Sequence, residues 1–91
     1  MFCQLVTVDF DRYAEDESKL QLQANPPDGL IAAVAWRDGD SARTRVLWDS
    51  PAAAGDFAEM RVMPLLEAGE IAPAHPERLV MIEAFVRSGA E

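Results

Sequence analysis

One cysteine, Cys3, in 91 residues rules out an internal disulfide and any Cys-X-X-Cys metal site. One histidine, His75, leaves no pair at metal-ligand spacing, so no metal is expected. Basic residues are scarce. Eight Lys and Arg face sixteen Asp and Glu, for a net charge of −8. That charge repels phosphate backbones and anionic membrane surfaces, so no nucleic acid and no membrane is expected as partner. No stretch stays apolar for the roughly 20 residues a membrane-crossing helix needs. The first residues lack a basic region, and Asp9 and Asp11 interrupt their apolar run, unlike a secretory signal. A free cysteine without an export signal fits a reducing, cytoplasmic setting. No glycine-rich loop joins a strand to a helix, so no nucleotide cradle and no cofactor is expected.

The hydrophobic share is 49% and the charged share 26%, the balance of a folded chain. Its length is that of a single domain, residues 1–91, with a thin core that dimerisation commonly supplements. Phe2 to Val8 is rich in β-branched and aromatic residues and predicts a strand. Asp9 and Asp11 offer N-cap oxygens to a helix running to about Gln23. Its inward stripe holds Tyr13, Leu20 and Ala24, and the acidic Glu17 falls on the same stripe. Lys19 answers Glu15 one turn away. Asn25-Pro26-Pro27-Asp28-Gly29 turns the chain.

Leu30 to Arg37 and Ala42 to Trp48 predict two strands joined by a tight turn at Asp38-Gly39. The second alternates, with Thr44, Val46 and Trp48 on one face and Arg43, Arg45 and Leu47 on the other. Ser50-Pro51 marks a helix start, a hydroxyl cap followed by proline at the first helical position. Ala54, Phe57, Ala58 and Val62 face inward, Pro64 stops or bends the helix near Met63, and Gly69 ends it. Leu79 to Val86 predicts the last strand, with Leu79, Met81, Glu83 and Phe85 on one face.

The order strand, helix, strand, strand, helix, strand, with right-handed crossovers, places both helices on one face of a four-stranded antiparallel sheet. This is the ferredoxin-like α+β arrangement. Its open face holds Leu47, Leu79, Met81 and Phe85, too apolar to leave in water. A homodimer covers it most simply. Arg43, Arg45 and Glu83 fall on that face, where Gln4 is expected to bridge them in a network that fixes the interface or orients a ligand.

The Gly29-Leu30-Ile31 entry to a hairpin, the Val46-Leu47-Trp48-Asp49-Ser50-Pro51 strand end, Phe57, and Met63-Pro64-Leu65 together resemble the dimeric α+β barrel superfamily. The nearest likeness is to small proteins akin to the antibiotic-biosynthesis monooxygenases, over about Leu5 to Val86. The resemblance implies a pocket between sheet and helices or within the barrel. It implies one of two functions. The first is a cofactor-independent monooxygenase or isomerase acting on a small aromatic or apolar molecule. The second is a non-catalytic dimer that binds a small ligand or a protein partner. Haem-degrading members carry a ligand histidine on the second helix, where this chain has Phe57, Glu59 and Met60.

Within that frame His75 and Arg45 are the candidate catalytic groups, as the basic side chains placed nearest a pocket. Trp36 and Trp48 are candidate platforms for a flat ligand, although large aromatics serve equally as core anchors. Phe57, Met60, Met63 and Phe85 complete the expected ligand-binding wall, the methionines as adaptable gap-fillers.

Overall fold

The computed structural model describes residues 1–74 and 77–79. Strand β1 (Phe2–Asp9) leads into helix α1 (Phe10–Leu20), and strands β2 (Leu30–Asp38) and β3 (Ser41–Trp48) follow as a hairpin. The second helical segment has three parts: α2 (Pro51–Phe57), a π-helical turn (Ala58–Val62) and α3 (Met63–Glu67). Strand β4 is described over Glu77–Leu79. The sheet order is β2-β3-β1-β4, antiparallel throughout, so β1 lies between β3 and β4. This is the ferredoxin-like α+β fold. Val80 to Val86 of the expected last strand, including Met81, Glu83 and Phe85, lie outside the described residues, as does His75.

The β-branched run of β1 pairs along its whole length with β3, from Phe2 opposite Trp48 to Asp9 opposite Ser41. Asp38 and Ser41 close the hairpin around Gly39 and Asp40. Gly39 alone of these two has positive φ, at 63°, which is the type II′ pattern with glycine first. The turn therefore centres one residue later than Asp38-Gly39. A bulge at Ile31 breaks the β2–β3 register between Leu30 and Ala32. It brings Leu30 and Ala33 to the same, helix-facing side, where uninterrupted alternation would separate them.

The expected caps divide. Ser50 Oγ accepts from the Ala53 N–H at 3.2 Å, with Pro51 at the first helical position. Asp9 is the N-cap residue of α1, but its side chain makes no cap bond. The Phe10 N–H donates instead to the Asp40 carbonyl at 2.8 Å, so the hairpin turn takes over part of the capping. Helix α1 also ends at Leu20, short of Gln23. Gln21 turns left-handed at φ 57°, and Arg61 donates to the carbonyls of Leu20 and Gln21, both at 3.2 Å, the latter also taking the Asn25 N–H at 2.9 Å. Ala24, beyond this end, is exposed and not inward.

Proline 64 does not stop the second helical segment. Proline has no N–H to offer and crowds the carbonyl one turn back. The π-turn immediately before α3 accommodates it, and the helix resumes. The segment closes at Gly69 (φ 71°), with Gly69 N–H to Leu66 O at 3.0 Å and Glu70 N–H to Leu65 O at 2.9 Å. The core is small: Val46, Trp48 and Ala54, packed by Phe2, Val6, Leu30 and Phe57. Gly29 seats β2 against it. At φ 87°, an added Cβ would stand 2.5 Å from the Ala53 Cβ, so only glycine fits there.

Candidate functional site

A cavity of about 610 Å³ lies between the helix-facing side of the sheet and the helices. Ligand sites for small organic molecules are commonly about 300–1,000 Å³ and mostly apolar. Its floor is the even-numbered face of β1 and β3, Gln4, Val6, Val8, Thr44, Val46 and Trp48, with Leu30, Ala33 and Ala35 of β2. Its roof is Tyr13, Asp16, Glu17 and Leu20 of α1, and Ala54, Phe57, Ala58, Val62 and Leu66 of the second helical segment.

That second stripe recurs every fourth residue from Ala54 to Leu66. In an unbroken α-helix, at about 100° per residue, a stripe of this spacing would drift by roughly 120° over twelve residues. The π-turn rotates less per residue and holds it toward the sheet. Hydrogen bonds tie the roof together. Lys19 Nζ donates to the Glu70 carbonyl at 2.8 Å, and Arg61 spans to the end of α1.

The acidic groups and the one phenol gather on the α1 side. Asp16 is buried, with Oδ1 taking the Arg12 guanidinium at 3.3 Å and Oδ2 the Ala72 N–H at 3.4 Å. Its charge is therefore paired. Glu17 has no such cation: Oε2 accepts the Gln23 N–H at 3.0 Å, and no ion pair involves it among the described residues. Tyr13 stands one turn before Glu17. Burial pushes its phenol above the ordinary tyrosine range, the Glu17 charge pushes the same way, and the neighbouring Thr44 hydroxyl opposes them. At neutral pH Tyr13 is a hydrogen-bond donor.

Of the residues expected to form the site, the structure brings together Trp48 and Phe57. Their rings stand 5.6 Å apart at 42°, and both line the cavity. Trp48 is only 2% exposed, and its Nε1–H donates to Gln4 Oε1 at 3.1 Å, so it serves the core as well as the wall. Met60 and Met63 do not line this cavity. They are 78% and 48% exposed, because the stripe through Ala58 and Val62 leaves them on the outer side of the segment. Met60 borders a separate groove beside the 25–29 loop.

Trp36 and Arg45 lie on the open face of the sheet, with the Arg45 guanidinium 5.8 Å from the centre of the Trp36 ring. The sheet stands between them and Trp48. One chain therefore does not gather Trp36, Arg45 and Trp48 about a single molecule. Gln4 does not bridge Arg43 and Arg45 either. It pairs with Val46 and points to the helix side, whereas the arginines alternate to the other. His75 and Phe85 are outside the described residues. Sequence reasoning placed Tyr13 and Glu17 inward but did not assign them to a site. The signal was there, since an unpaired acid on a buried stripe needs a reason.

Among the described residues no three metal-ligating side chains converge, and no helix is long and apolar enough to cross a membrane. No family model and no curated protein matches the chain. Solved structures do. A protein of unknown function from Nitrosomonas europaea superposes with a TM-score of 0.70 at 15% identity, over 97% of this chain and 95% of that one. A proposed antibiotic biosynthesis monooxygenase from Deinococcus radiodurans gives 0.59 at 13% identity, over 98% and 100%. Another from Chloroflexus aurantiacus gives 0.54 at 18% identity, over 92% and 98%. The chain shares their fold. At these identities the likeness speaks for the arrangement of strands and helices and for nothing in the chemistry.

Proposed function

We propose that the protein is a single-domain homodimer that binds a small aromatic or apolar molecule between sheet and helices, and oxidises it with dioxygen as a cofactor-independent monooxygenase. The observation that carries the binding step is the cavity: mostly apolar walls, an aromatic pair at Trp48 and Phe57, and acidic groups confined to the α1 side. The oxidation is an analogy to the names of two neighbours of this fold. In its simplest form an activated methylene becomes a carbonyl. One oxygen atom enters the product, and the other leaves as water with the two hydrogens. Glu17, the cavity carboxylate that no arginine pairs with among the described residues, is the proton acceptor this reading uses.

The dimer covers the open face, where Val34 is 62% and Trp36 38% exposed. An apolar strip of that kind is costly in water. The second reading is a non-catalytic ligand-binding dimer, and the character of the cavity favours it: its walls are mostly apolar, and the aromatic pair suited to a flat ligand carries no group that removes a proton.

The test separates the two. In a Trp36→Phe background Trp48 is the sole indole, and polycyclic phenols and quinols are expected to change its fluorescence. Oxygen uptake with any of them supports the enzyme. Binding without uptake supports the carrier. No response from any of them, with the dimer intact, defeats both.

A further inference from the structure

We propose that the cavity selects neutral, hydroxyl-bearing aromatic molecules and rejects carboxylates of the same shape, with Glu17 as the residue that discriminates. This rests on the cavity being the ligand site. Its charge pattern is asymmetric. Glu17 and Asp16 line it, and no Lys or Arg does among the described residues. Asp16 is neutralised by Arg12 and by the Ala72 amide, so it adds little field of its own. Among the described residues Glu17 is satisfied only by one backbone N–H.

An uncompensated carboxylate beside an apolar wall acts on a ligand in two ways. It accepts a hydrogen bond from a hydroxyl. It also repels a second carboxylate, a repulsion that solvent reaching the half-exposed Glu17 screens in part. The neighbouring phenol feels this field, since the Glu17 charge is one of the causes that raise Tyr13. Tyr13 supplies the complementary contact, an O–H that donates to a ligand oxygen. A hydroxyl group engages both side chains. A carboxylate engages Tyr13 but meets Glu17.

Equilibrium dialysis with β-naphthol and β-naphthoate at neutral pH tests this with a ring system common to both probes. The naphthol is expected to bind about tenfold more tightly. Glu17→Gln keeps an acceptor oxygen for the Gln23 N–H while removing the charge. It is expected to raise naphthoate affinity about threefold and to change naphthol affinity less, because one partly screened charge is at stake. Glu17→Asp, which keeps the charge, should preserve the preference and shows that any loss is not a folding effect. Equal binding of the two probes by the native chain, or a preference unchanged in Glu17→Gln, overturns the proposal while leaving the cavity as a ligand site. Binding of neither probe overturns the site itself.

Discussion

The indole of Trp48 and the amide of Gln4 face each other across β1 and β3, Nε1–H to Oε1 at 3.1 Å, at the floor of the cavity. The contact ties core to site. Trp48 is the largest fully buried side chain among the described residues, and its one polar atom needs a partner. Gln4 is that partner because the alternation of β1 turns it to the helix side, with Val6 and Val8.

Replacing Gln4 with Leu keeps the bulk and removes the acceptor. The indole N–H is then buried unpaired, at a cost of about 1–3 kcal/mol. Urea unfolding followed by Trp48 fluorescence measures it. An unchanged midpoint would mean that water or another group reaches the indole.

Ser50→Ala tests the start of the second helical segment. The lost bond from the Ala53 N–H is expected to cost about 0.5–2 kcal/mol. Pro51 pre-sets the first helical residue and remains, so the helix should persist with a lower melting temperature. Calorimetry of both proteins decides the point.

Much of this was legible from residue patterns. The strand and helix order, the Ser50-Pro51 start, the Gly69 end and the two faces of β3 follow from local chemistry that tertiary packing does not overrule. What was not legible depends on partners remote in sequence. Asp9 occupies the cap position but its side chain makes no cap bond, and the Phe10 N–H finds its partner far along the chain, in the Asp40 carbonyl. The end of α1 is set by Arg61, about forty residues away. The bulge at Ile31 has no glycine to announce it, and it alone decides that Leu30 and Ala33 share a wall. Met60 and Met63 were expected at the cavity for their composition. Their place on the helix decides otherwise: at about 100° per residue from the inward Ala54, Met60 and Met63 fall roughly 120° and 180° away, on the outer side even without the π-turn.

The open face makes its own prediction. Val34 sits midway along the edge strand β2 on this face, paired with Arg45 and beside Trp36. In the proposed dimer Val34→Lys brings two ammonium groups into an apolar interface already holding Arg45, and each is costly to bury unpaired. Sedimentation at micromolar concentration is expected to give a dimer for the native chain and a monomer for the variant. A native monomer would remove the dimer from the functional reading.

The last prediction uses the single tyrosine of the chain, which makes its titration readable without assignment. Tyr13 is raised above its ordinary value of 10.0 in the folded state, chiefly by burial and then by Glu17. The folded state therefore holds this proton more tightly than the unfolded state does. Stability from this source is fully present below the unfolded pKa, near 10, and is lost as pH rises through the higher folded value. Tyrosinate absorbance of the native protein is expected to develop later in an alkaline titration than that of the urea-unfolded chain. In Glu17→Gln the folded curve should move back toward the unfolded one without reaching it, because burial is the larger cause. In Tyr13→Phe the alkaline decline in stability should be shallower. Coincident folded and unfolded titrations would show Tyr13 open to solvent, and the cavity without its donor.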